Sequence, residues 1–137
     1  MLFDNDLIFS EAQAVTATAA STVIDCGQGL LTTGLNGGMN LFAVALATTD
    51  FTGSGTIDVQ LQHSDASGGT FTTVASSGPI VATDIAAVKI PMPLAHKRYL
   101  RLNYVVSGTV ATGKITAGIT TSCDAQQDYK AEDYAFQ

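Results

Sequence analysis

The sequence predicts an all-β protein, a jelly-roll-like β-sandwich of about seven to eight strands, and three observations support that fold class. Residues 56–63 alternate strictly, with Ile57, Val59 and Leu61 apolar and Asp58, Gln60 and Gln62 polar, the period-two pattern of a strand with one buried face. Short apolar runs bounded by Gly, Pro, Asn or Ser follow one another along the chain, and no segment sustains a helical period. Apolar residues make up 46% of the chain and charged residues 13%. Gly, Thr, Ala, Ser and Val therefore stand where an exposed helix would need Lys, Glu and Arg.

Taken in order, residues 1–123 read as the sandwich domain with an N-terminal arm at 1–14, and 124–137 as a C-terminal tail or arm. The arm carries Phe3, Leu7 and Phe9, with a further strand near 7–9. Strands follow at 21–25 and 40–48, the second apolar on both faces, as a central strand or one at an interface would be. Residues 56–63 and 70–75 form a hairpin, since Ser64-Asp65-Ala66-Ser67-Gly68-Gly69 between them supplies positive φ and local side-chain hydrogen bonds. A strand at 85–90 precedes Ile90-Pro91-Met92-Pro93-Leu94, where two prolines remove backbone donors and mark a connection between sheets. In the strand at 99–106, Leu100, Leu102, Tyr104 and Val106 share the core face and Tyr99, Arg101, Asn103 and Val105 the other. The last strand is 114–121. Beyond it, Tyr129, Tyr134 and Phe136 lie among Asp124, Asp128, Glu132 and Asp133. Ordering that segment takes more backbone entropy than burying three aromatic rings returns, so it is not expected to fold alone.

A length of 137 residues suits a single core. The net charge is -6, and no Lys or Arg precedes Lys89. Residues 1–88 hold eight acids and no bases, and residues 89–137 hold six bases and four acids, so the halves sum to -8 and +2. Such a field repels phosphate backbones, which argues against a nucleic-acid partner. The longest apolar run, 41–47, is far short of the roughly 18 residues a spanning helix needs, so no membrane role is expected. The acids at Asp4 and Asp6 oppose a secretory signal, and synthesis in the host cytoplasm is expected. Cys26 and Cys123 match no zinc or redox spacing and read as free thiols.

Catalytic signatures are missing. His63 and Asp65 with Asp58 could hold a metal or exchange a proton, but the same residues describe a strand end entering a turn, and no second histidine or cysteine lies at ligand spacing. Neither a Gly-x-Ser-x-Gly elbow nor a phosphate loop is present. No enzyme activity, cofactor or metal is expected. The segment His96-Lys97-Arg98-Tyr99-Leu100-Arg101 concentrates positive charge; it is either a solvated strand start or a patch that meets an acidic partner, with Arg98 and Arg101 the better geometric tools. Absence of tryptophan weakens a sugar-binding reading.

The run Tyr99-Leu100-Arg101-Leu102-Asn103-Tyr104-Val105-Val106-Ser107-Gly108, with Thr112-Gly113-Lys114-Ile115-Thr116-Ala117-Gly118-Ile119 after it, resembles the capsid cement (decoration) proteins of tailed bacteriophages, in particular the Bordetella-phage type. Leu7-Ile8-Phe9-Ser10-Glu11-Ala12-Gln13-Ala14-Val15-Thr16 and Ser21-Thr22-Val23-Ile24-Asp25 are similar to the start of that family, so the likeness spans nearly the whole chain. The resemblance implies a virion structural protein: a jelly-roll subunit that forms homo-oligomers, a dimer or else a trimer, on the capsid exterior and clamps adjacent major capsid proteins. It brings no catalytic residue. The residues expected to touch partners are Phe3, Leu7, Phe9, Arg98, Arg101, Tyr129, Tyr134 and Phe136. The alternative is a carbohydrate- or receptor-binding jelly-roll module of a phage tail or fibre.

Overall fold

Alternation along the chain becomes two antiparallel sheets in a computed structural model, which describes residues 5–27, 41–93 and 95–120. Phe3, Cys123 and the whole segment 124–137, with Tyr129, Tyr134 and Phe136, lie outside the described residues. The strands are β1 (Ile8–Ala14), β2 (Ala19–Ala20), β3 (Ile24–Asp25), β4 (Phe42–Thr52), β5 (Thr56–Ser64), β6 (Thr72–Val81), β7 (Ala87–Pro91), β8 (Tyr99–Ser107) and β9 (Thr112–Thr120). The first sheet has the order β1-β9-β4-β7, and the second β2-β8-β5-β6 with β3 also on β8. Because β5 pairs with β8 along one edge from Ser64↔Tyr99 to Thr56↔Ser107, β2 and β3 share the other edge. Among the described residues no helix is long and apolar enough to cross a membrane.

One interior cluster fills the space between the sheets. Ile57, Val59 and Leu61 of β5 and Leu100, Leu102 and Tyr104 of β8 are buried from the second sheet, as their parity requires. Ala43, Ala45, Ile115, Ala117 and Ile119 meet them from the first. The Tyr104 hydroxyl, pushed up to about 12 by burial, hydrogen-bonds Ser10 Oγ at 2.8 Å and so ties β8 to β1 across the core. Gly113 has φ +143, and any Cβ there would overlap the Phe51 ring, so the glycine lets β9 close over β4.

Several strands differ from the sequence expectation for identifiable reasons. Of the strand expected at 21–25 only Ile24–Asp25 forms, with β2 ahead of the expected start, because Thr22 between them donates its N–H to Phe9 O of the other sheet at 3.0 Å, and its hydroxyl to the same oxygen at 2.7 Å. β6 runs well past residue 75, through Gly78 at φ +75 and Pro79. An edge strand needs no donor on its open side, so Pro79 is tolerated and the register shift there blunts the edge. Residues 8–14 are no free arm: they pair with β9 as an edge strand.

Candidate interaction surface

β8 begins at one corner of the second sheet, where Tyr99 lies opposite Ser64 of β5 on one side and Asp25 of β3 on the other. The connection 92–98 delivers Lys97 and Arg98 to this corner, and strand parity turns Arg101 to the outer face. Arg98 grips Asp25 with two parallel bonds, Nε to Oδ1 at 2.7 Å and Nη2 to Oδ2 at 2.8 Å. Its guanidinium also lies 5.1 Å from the Tyr99 ring centroid. The Arg98 hydrogen bond, followed by the Gly27 N–H at 2.9 Å, lowers the Asp25 carboxyl to about 2. Both side chains of the pair remain over one-third exposed, so it positions groups more than it stabilises the fold.

Arg101 stands differently. Its Nε donates to Gln62 Oε1 at 2.9 Å and its guanidinium stacks 4.2 Å from the Phe71 centroid. No carboxylate faces it among the described residues. Lys97 Nζ pairs with Asp65 at 2.9 Å in solvent, and the Lys97 N–H donates to His63 Nδ1 at 3.2 Å. Burial, then the charges of Lys97 and His96, lower the His63 pKa. His96 is buried, its Nδ1–H donates to Lys97 O at 2.9 Å, and its Nε2 has no partner among the described residues. Cys26, half-buried beside Asp25, is raised to about 12 mainly by burial and stays a thiol at neutral pH.

Among the described residues no group of three His, Cys, Asp or Glu could hold a metal ion. Asp58, far from being a ligand, accepts Ser76 Oγ at 2.6 Å and Gln60 Nε2 at 3.0 Å on the outer face of β5. The expected basic patch is thus largely neutralised by Asp25 and Asp65, leaving Arg101 between Phe71 and Gln62 as its least compensated cation. Asp25 lies 73 residues from Arg98, and no local signal in the sequence pairs them.

The N-terminal candidates divide. Phe9 has no exposed surface and belongs to the domain's own core, at the register shift between Ile8 and Ser10 where both it and Ser10 are buried, so its side chain is not available to a partner. Leu7 is half-buried against the same core. Beside them a groove of about 490 Å³ is lined by Asn5, Ile8, Phe9, Ser10, Glu11, Gln13 and Thr22.

A second surface lies on the strand that the sequence reads as central or at an interface. On β4, Phe42, Val44 and Leu46 point away from the core, opposite Pro91, Lys89 and Ala87 of β7. The Lys89 ammonium sits 4.4 Å from the Phe42 centroid. The signal was present in the strand's two apolar faces, but the sequence could not tell which faced inward.

A protein-family model, Bbp16, matches residues 9–119, which run from β1 into the last turn of pairing on β9. No curated protein matches the chain.

Proposed function

The chain belongs to the Bbp16 family, a family of phage structural proteins, and on that premise we propose that it is a cement subunit on the outside of the phage head that clamps adjacent major capsid proteins. Its role is structural and virion-associated, not enzymatic. The observation that carries this reading is the family match across the whole sandwich, 9–119. The strand order supports the finer fold assignment. With β2 and β3 counted as one interrupted strand, eight strands pair as 1-8-3-6 and 2-7-4-5, the order of a jelly roll with two Greek keys.

In this reading the subunit self-associates as a homo-oligomer, a dimer or a trimer, and the β8 corner meets the major capsid protein. Arg101 leads the contact, because Arg98 already holds Asp25. A repeated shell makes many modest contacts add up, so no single site has to be tight. Co-sedimentation with empty capsids tests the proposal. Saturable binding is expected, with Arg101→Ala lowering affinity about tenfold and Arg98→Ala less, and with the loss growing smaller at high salt. No binding to capsids, alongside a positive glycan array, would favour the receptor-binding alternative instead.

A further inference from the structure

Val44 is fully buried, yet it faces out of the first sheet. Its neighbours Ala43 and Ala45 join the interior cluster and Val44 does not. Its cross-strand partners are Lys89, which is exposed, and Gly118, which has no side chain. Gly118 is itself buried, so this stretch of the outer face is covered, yet Gly118 offers no side chain to cover Val44 and the Lys89 ammonium lies over Phe42. With half-buried Phe42 and Leu46 on the same face, Val44 forms an apolar strip, and Lys89 and Lys114 are the lysines of that sheet. Apolar strips of this kind are covered in stable proteins.

We propose that the same subunit's C-terminal segment, residues 124–137, docks on this outer face of the first sheet. The tether favours it: β9 ends at Thr120, directly opposite Phe42 at the end of the strip. Reach is ample, since fourteen extended residues cover about 45 Å while three strand spacings cover about 14 Å. The chemistry matches as well. Tyr129, Tyr134 and Phe136 suit the apolar strip, and four acids against the single base Lys130 suit the two lysines. A tethered segment acts at millimolar effective concentration, which a second copy's tail does not reach in dilute solution. The inference concerns the isolated subunit and stands apart from the capsid-binding reading.

The chain has no tryptophan, so Phe136→Trp in the full-length protein gives a single reporter. Its emission is expected to be blue-shifted, with acrylamide quenching about threefold weaker than in the same chain carrying Leu46→Asp. That protection should not change from about 1 to 100 µM protein, as an intramolecular contact requires. Lys89→Glu, at an exposed position, should raise quenching with far-ultraviolet circular dichroism unchanged, and it decides alone if Leu46→Asp does not fold. A reporter as quenchable as a free tryptophan peptide, or one unmoved by both variants, overturns the proposal. Protection that rises with concentration also overturns it, assigning the face to another copy's tail. No capsid enters the assay, so its outcome is independent of the shell-binding test.

Discussion

The outer faces of the two sheets solve the same problem in opposite ways. On the second sheet, Ser76 and Gln60 bond Asp58, Thr73 Oγ1 donates to Gln60 Oε1 at 3.2 Å, Gln62 Nε2 donates to Thr73 Oγ1 at 3.1 Å, and Arg101 closes the row on Gln62. Each side chain in that row has a partner within the face, so the row can meet water without a cover. On the first sheet, Phe42, Val44 and Leu46 occupy the corresponding outward positions and offer almost nothing to water. The difference teaches that a sandwich strand apolar on both sides is half core and half contact surface.

The largest expected effect tests that contrast directly. Val44→Asp buries a carboxylate in the apolar strip of the first sheet, only partly offset by Lys89 opposite it, and should lower stability by about 3 kcal/mol, while Asn103→Val on the outer face of β8 should stay within about 0.5 kcal/mol. Urea unfolding midpoints measure both, and a Val44→Asp loss below about 1 kcal/mol would break the comparison. Gln62→Ala comes next. It removes the acceptor of Arg101 and the donor to Thr73, and should cost about 1 to 2 kcal/mol in the same assay. A loss below about 0.5 kcal/mol would mean that water replaces the row without penalty.

The smallest effect is at the solvent-exposed corner. Asp25 is held at about 2, below its ordinary 3.8, so its ionised form favours the folded state. That contribution is present above about pH 4 and is lost as pH falls toward 2. The stability difference between the wild-type chain and Asp25→Asn should therefore narrow across this window and be flat above it. A difference that does not vary between pH 2 and 6 would remove the Arg98 pair from the acid response.

Much of the fold was legible because strand parity is a local property. Ile57, Val59, Leu61, Leu100, Leu102 and Tyr104 could be assigned to the core from alternation alone, and all are buried. The candidate site was less legible. Arg98 and Arg101 were visible as charges, but their differing availability depends on Asp25, Gln62 and Phe71, which strand pairing brings in from elsewhere in the chain. Phe9 showed the converse error. An apolar residue near a terminus resembles an adhesive one until packing shows its side chain within the core between the sheets.

By itself, the sequence determined the class of element, the inward parity of β5 and β8, and the turn between β5 and β6, since each follows from residues close together in the chain. Tertiary structure alone decided which side of β4 is core, which cation at the β8 corner is already paired, and where the chain leaves the first sheet. Those depend on pairing between strands such as β4 and β9 that lie far apart in the chain, and register at that distance is set by the packing of the whole sandwich.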